Sequence, residues 1–346
     1  MKTVLITKEV NAPSTVLNRS LLELLPNFQF STELDQIYAD VILFMGYDPK
    51  IEEARKINPN AIIGIIDPRP GSEVKLRNAD FYLANGVEMV NFFASTNSNY
   101  FIYPIYPPIK TEQRIVEKKT NKLSIGYHGN KAHLELMEST VCKALEKLAK
   151  TSKLKIELVC IYNFEGLGKW NWKPESNNIT IEHIQWTNTS YQEYLPSVDI
   201  GIVPNLIPFK PILSEEDNSL EQQKIAFDSD VYFRFKPTSN LGRILVFSQL
   251  GIPVIADMFP SAAEIIRHGE NGLLATDADS WYIHLKRMAT NDDERKKMAD
   301  SMHNVFLNHY HWDVKNKELL EFFEKQIELK RSSKSGLKER LKSIFS

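Results

Sequence analysis

The chain has 346 residues, 42% hydrophobic and 25% charged, and 42 Lys plus Arg nearly balance 44 Asp plus Glu for a net charge of -2. That length asks for two domains, and that balance excludes pervasive disorder, a fibrous repeat and a globally basic, nucleic-acid-binding surface. Two cysteines, Cys142 and Cys160, are too few for a disulfide framework or a thiolate metal site.

From the N-terminus, charges at Lys8 and Glu9 come too early for a secretory leader, and no apolar run approaches the ~20 residues of a bilayer span. The sequence therefore reads as that of a soluble, cytoplasmic protein. Apolar runs at residues 4–7, 41–46, 61–66 and 81–84 predict buried parallel strands, with helices at 16–25 and 51–57. Gly46, Asp67-Pro68 and Asn85-Gly86 follow strand ends, which is where open α/β sheets hold ligands. Asp67 has two readings. It can position an acceptor hydroxyl or remove its proton, or it can cap its own turn before Pro68.

The proline-rich stretch 103–109 and the polar run that follows predict an interdomain linker, with the boundary between about residues 105 and 122. Beyond it the alternation resumes. Strands are expected at 123–127, 156–161, 179–184, 198–203 and 253–256, and helices at 134–149, 191–195, 241–250 and 262–268. This describes a second doubly wound unit, interrupted at 208–230 by a loop or short helix. The tail, 325–346, carries seven basic residues against Glu328 and Glu339, with Leu337, Leu341 and Ile344 at helical spacing. It reads either as a helix for an anionic membrane surface or as a terminus that frays or packs on its own protein.

Three places suggest chemistry. Lys236 precedes Thr238, Ser239 and Asn240, any of which can cap the helix that follows; Arg243 lies one turn in. A helix start with two cations beside it suits a phosphate, although a plain capped helix with surface charges has the same composition. The run Gly126-Tyr127-His128-Gly129-Asn130 ends a strand: Gly129 permits close backbone approach, Asn130 can cap, and His128 can donate to phosphate, act as acid or base, or bond the loop backbone. After the strand 253–256, Ser261 and Ala262 lead into a helix bearing Glu264 in its first turn, which either complements the helix end or accepts sugar hydroxyls. Neither a dinucleotide fingerprint nor a P-loop is present, and no histidine–carboxylate spacing makes a zinc site.

The stretch 235–306 resembles the C-terminal domain of GT-B glycosyltransferases of the large family 4 type. The likeness rests on Gly251 to Val254, Glu264, Asn271-Gly272-Leu273-Leu274, Trp281 and Asp292-Asp293-Glu294-Arg295. A weaker likeness extends from about residue 35. The resemblance implies an α/β GT-B fold, with two Rossmann-like doubly wound domains facing across a cleft: 1–110 on the acceptor side, 120–315 for the nucleotide sugar, and 316–346 as a helix and basic tail. It implies transfer of a sugar from a nucleotide-diphosphate sugar, of UDP or GDP type, to a saccharide or lipid-linked saccharide. The transfer is expected with retention, in surface-glycan assembly, without metal or a permanently bound cofactor. Closure of the lobes would exclude water, and the leaving phosphate would help deprotonate the acceptor.

Carried across, Lys236, Ser239, Asn240 and Arg243 fall in the donor diphosphate region, His128, Gly129 and Asn130 in the loop below it, and Ser261, Ala262 and Glu264 on the sugar side. Lys236, Arg243, Asp67 and His128 are the catalytic candidates. The family's pair of glutamates would fall at Thr238 and Val246, neither of them acidic, and its N-terminal Gly-rich loop is replaced by residues 9–14. The same fold also supports nucleotide-sugar 2-epimerases, and without the glutamates a non-catalytic glycan- or partner-binding protein.

Overall fold

The computed structural model describes residues 1–34, 38–47, 49–109, 121–205 and 238–344, with side chains of the last helix as far as Ser333. The interruption expected at 208–230, Lys236 and most of the polar linker lie outside the described residues. The chain forms two compact units: Met1–Pro108 with Asn240–Gly242 and Asn308–Ser346, and Ile109–Ser239 with Arg243–Leu307.

In the first unit, strands β1 (Thr3–Ile6), β2 (Phe28–Ser31), β3 (Val41–Met45), β4 (Ile62–Ile66), β5 (Phe81–Ala84) and β6 (Tyr100–Ile102) form one parallel sheet in the order β2-β1-β3-β4-β5-β6. The central strands VILFM and IIGII are buried at every position, as a sheet covered on both faces requires. Helices α1 (Pro13–Leu22), α2 (Ile51–Ile57), α3 (Glu73–Asn78) and α4 (Val87–Phe93) connect the strands. The edge strands β2 and β6 have no counterpart in the sequence reading: both are short and only part-buried, β2 interrupts its apolar residues as Phe-Gln-Phe-Ser, and β6 is three residues that run on into the proline-rich stretch. The order doubles back beside β1, so the switch point of the sheet lies between β1 and β3.

The second unit holds β7 (Lys122–His128), β8 (Lys155–Tyr162), β9 (Ile179–Gln185), β10 (Ile200–Val203), β11 (Val254–Asp257) and β12 (Leu273–Ala275), also parallel, in the order β12-β11-β10-β7-β8-β9. The order turns back after β9, so the switch point of this sheet lies between β7 and β10. The helix expected at 134–149 is two: α5 (Lys131–Leu136) and α6 (Val141–Thr151), separated by a tight turn at Met137–Ser139. Short helices α7 (Phe164–Leu167) and α8 (Ser190–Tyr194) follow β8 and β9. Helix α9 (Gly242–Gln249) has Ile244, Leu245, Val246 and Phe247 all essentially inaccessible, so it is a core element with almost no polar face. Gly201 of β10 leaves room for its Phe247: a Cβ there would sit 2.5 Å from the ring.

Helix α10 (Pro260–Ile265) starts two residues earlier than expected, because Pro260 supplies the pre-set φ of a first helical position. Glu264 is therefore in its last turn, not its first. Helices α11 (Ala278–Thr290), entered through an Asp277–Ser280 capping box, and α12 (Asp292–Val305) close the second unit.

The last helix, α13 (Trp312–Ile344), belongs with the first unit along its described side chains. Phe322 and Phe323 pack on Phe81 at 5.4 and 5.5 Å, and Asn316 accepts from Tyr103 Oη at 2.7 Å. Lys330 Nζ donates to the Ala61 carbonyl and to Asp80 at 3.0 Å, so one of the seven tail cations is engaged inside the protein. The proline-rich stretch packs into the protein rather than lying in solvent. Tyr103, Ile105, Tyr106 and Ile109 are buried, and Tyr106 donates to the Tyr310 carbonyl.

Candidate functional site

Ligand sites in open parallel sheets form beyond the carboxyl ends of strands at the switch point. In the second unit that point is reached by His128-Gly129-Asn130 after β7 and by Pro204-Asn205 after β10, and Arg243 of α9 lies between them. Arg243 Nη1 donates to the Pro204 carbonyl at 2.7 Å, and Nη2 to Asn205 Oδ1 at 2.6 Å. Burial lowers the guanidinium's pKa, while Tyr127 and Asp257 nearby favour its charge. Two protein acceptors thus hold two of the five N–H donors of the fork.

Gly129 is required by this packing. Its φ is +147°, and a Cβ would stand 2.9 Å from Tyr127 Oη and 3.0 Å from Arg243 Cδ. Its amide donates to the Ile161 carbonyl at 3.1 Å, so it extends the sheet. Asn130 caps α5 by accepting from the Ala132 amide at 2.9 Å, and its carbonyl accepts from Tyr127 Oη at 2.7 Å.

Of the three readings for His128, the structure fits a backbone bond, made to α9 rather than to its own loop. It is 4% exposed, its ring lies between Tyr191 and Phe247 with centroids 5.1 Å from each, and its Nε2 donates to the Arg243 carbonyl at 3.1 Å. Burial takes its pKa down to about 3. The bond to the Arg243 carbonyl ties the first turn of α9 to the end of β7.

Of the capping candidates before α9, Asn240 acts: its Oδ1 accepts from the Gly242 amide at 2.8 Å. Ser239 is buried and its Oγ accepts from Asn205 Nδ2 at 2.8 Å. Ser261 and Ala262 are buried in α10, whereas Glu264 is exposed.

Sequence reasoning missed Asn205 and Asp257. Asp257 ends β11 at 3% exposure; its Oδ2 accepts from the Asn205 amide at 2.6 Å and its Oδ1 from Trp281 Nε1 at 2.8 Å. The available signal was a polar residue directly after an apolar strand.

In the first unit a second cluster gathers beyond β3, β4 and β5. Asp67 is fully buried with φ of +52°, a left-handed conformation uncommon for a residue other than glycine. Its carbonyl lies where a Cβ on Gly46 would be, 2.3 Å away, so the adjacent strand end must be glycine. Asn85 Nδ2 donates to Asp67 Oδ1 and Arg69 Nη2 to Oδ2. Burial outweighs both partners and raises the Asp67 pKa to about 6. Asn85 Oδ1 and Arg69 Nε are buried without a partner, and Arg69 lies 5.9 Å over the Tyr47 ring. Among the described residues no His, Cys, Asp and Glu group could hold a metal ion, and no helix is long and apolar enough to cross a membrane.

No protein family and no curated protein matches the sequence. Solved structures do. A mutant of S. aureus TarM in complex with Fondaparinux, alpha-GlcNAc-glycerol and UDP is 10% identical with a TM-score of 0.56, over 84% of this chain and 57% of its own. The lipopolysaccharide outer core galactosyltransferase WaaB is 13% identical with a TM-score of 0.58, over 94% of this chain and all of its own. A glycosyltransferase from Rickettsia africae is 10% identical with a TM-score of 0.60, over 94% and 98%. The chain thus spans little more than half the length of TarM and nearly all of the other two. The two parallel Rossmann-like sheets and this likeness show that the chain has a GT-B fold.

Proposed function

We propose that the chain is a GT-B glycosyltransferase of the family 4 type, which moves a sugar from a nucleotide-diphosphate sugar of UDP or GDP type to a saccharide or lipid-linked saccharide. Transfer proceeds with retention and without metal, in surface-glycan assembly. The observation that carries this reading is the Arg243 fork held at the switch point of the second sheet beside Gly129.

A fixed cation at the end of a parallel sheet stabilises the diphosphate as negative charge develops on it, and a group already held in place needs no reorganisation at that moment. Lys236 adds a second cation to the same role. Ser239, Asn240 and Asn130 shape the loops around the diphosphate; Ser261, Ala262 and Glu264 serve the sugar side. Asp67 orients the acceptor hydroxyl together with Asn85 Oδ1, and a departing phosphate oxygen takes the proton. Asp67 is fully buried and ion-paired to Arg69, whose side chain is 37% exposed.

The test is thermal-shift screening of the purified protein against UDP, GDP, ADP, CMP and dTDP sugars. One nucleotide class should stabilise the wild type, and Arg243→Ala should weaken the response clearly without lowering the unliganded Tm by a comparable amount. A wild type that responds to none of them, or an Arg243→Ala variant that responds equally, refutes the donor assignment. Product formation with an acceptor then separates a transferase from an epimerase, which converts donor alone.

The basic tail supports a peripheral contact with anionic membrane. Because Lys330 is bonded to Asp80, truncation after Ser333 removes tail charge without cutting that tie. The truncated protein should lose binding to vesicles containing phosphatidylglycerol; unchanged binding removes the membrane assignment.

A further inference from the structure

Asn205 occupies a singular position at the end of β10. Its amide donates to Asp257 Oδ2 at 2.6 Å, its Nδ2 to Ser239 Oγ at 2.8 Å, and its Oδ1 receives Arg243 Nη2 at 2.6 Å. The preceding carbonyl, of Pro204, receives Arg243 Nη1 at 2.7 Å. Asp257 is in turn fixed from the far side by Trp281 Nε1 at 2.8 Å, and Trp281 is wholly buried. Trp281, Asp257, Asn205 and Arg243 therefore form an unbroken chain of hydrogen bonds from core to switch point.

We infer that Asn205 and Asp257 are positioning residues for the nucleoside diphosphate: they aim the Arg243 guanidinium and anchor the Ser239 hydroxyl before the ligand arrives. The inference rests on the donor reading above. An arginine side chain is long and loses several rotamers when it binds an anion, so a fork already clamped at two donors gives up less freedom on binding. The neutral amide of Asn205 suits this role better than a carboxylate. It accepts from the guanidinium without cancelling the charge that a diphosphate needs, while Asp257 completes the backbone bond one step further away. A purely structural Asn205 would stabilise the fold without affecting how Arg243 meets a ligand.

A double-mutant cycle distinguishes the two. Dissociation constants for UDP and GDP are measured by ligand-observed NMR on the full chain for wild type, Asn205→Ala, Arg243→Ala and the double variant. Loss of one charge-assisted clamp should weaken the tighter nucleotide about tenfold in the wild-type background. With Arg243 already absent, the same substitution should change affinity by less than about twofold. Equal losses in both backgrounds overturn the inference. Asp257→Asn, which keeps the side-chain shape, provides the second variant should Asn205→Ala fail to fold; its loss should likewise vanish without Arg243, and a loss that persists there counts against the inference. A wild type that binds no nucleotide sinks the donor reading itself and this inference with it, an outcome distinct from a wild type that binds and variants that lose affinity additively.

Discussion

Asp67→Asn gives the sharpest test of the first-unit cluster. The carboxyl of Asp67 is raised from 3.8 to about 6, mainly by burial, with Arg69 and Asn85 opposing the rise. The folded chain therefore holds a proton more tightly than the unfolded chain between those values, and stability falls as pH climbs through that window. The cost of the ionised form is absent well below 3.8 and complete above about 6. At about 1.4 kcal/mol per pH unit it reaches roughly 3 kcal/mol near neutrality. Roughly 1 kcal/mol already applies at about pH 4.5, so about 2 kcal/mol develops between there and about pH 7.5.

Asparagine carries no charge at any pH and lacks this slope, although it offers one oxygen where the carboxylate serves both Arg69 and Asn85. Hydrogen exchange read by mass spectrometry on peptides covering β3, β4 and β5 gives the local stability, and comparison of the two proteins at equal pH cancels the intrinsic exchange rates. Relative to the variant, the wild type should gain about 2 kcal/mol on acidification from about pH 7.5 to about pH 4.5. A difference that does not change with pH refutes the burial argument and removes Asp67 as a group poised near neutrality.

Gly129→Ala places a Cβ 3.0 Å from Arg243 Cδ on a backbone with φ of +147°. It should destabilise the second unit by about 1–3 kcal/mol in urea unfolding, and should weaken the nucleotide-induced thermal shift beyond what that loss explains. A normal nucleotide response in a destabilised variant would separate Gly129 from Arg243 function. Gly242→Ala meets the Ile105 carbonyl oxygen at 1.9 Å, a backbone atom that cannot swing away as a side chain does. A loss on the order of 3 kcal/mol is expected, visible as faster exchange in 103–109 and in α9 together; protection unchanged in both would contradict the packing.

Much of the fold was legible because parallel strands covered on both faces carry unbroken apolar runs: residues 41–45 and 62–66 show this without exception. β2 and β6 were not, since an edge strand needs neither length nor apolarity on its open side. Phe28–Ser31 and Tyr100–Ile102 are stabilised by pairing with β1 and β5, which no local pattern reveals. The burial of the Pro-rich stretch was not legible for a related reason. Prolines do disfavour regular elements, but Tyr103 and Tyr106 between them bury their rings against the distant 308–346 segment.

The same division holds for the candidate site. Asn240 as a cap, Gly129 as a close-approach position and Arg243 in the first turn of α9 are local features that spacing discloses. Asn205 and Asp257 lie 52 residues apart and meet only when β10 and β11 pair. His128 carries the right chemistry in isolation, yet packing between Tyr191 and Phe247 makes it a neutral tie.

The absent glutamate pair has a physical counterpart as well. Val246 is 1% exposed within a helix whose neighbouring residues are all core, so an acid placed there would be desolvated with nothing to offset the cost. Asp257, the buried acid that ends β11, is engaged by Trp281 and Asn205. On the proposed reading, donor recognition would lean on a clamped cation and loop backbone. It follows that affinity should depend on the diphosphate more than on the ribose hydroxyls: UDP and its 2′-deoxyribose counterpart dUDP should bind within about threefold of each other, whereas UMP should bind at least tenfold more weakly than UDP. Strong discrimination against dUDP would mean that a ribose clamp exists elsewhere, and would return the pyrophosphate cation to a supporting role.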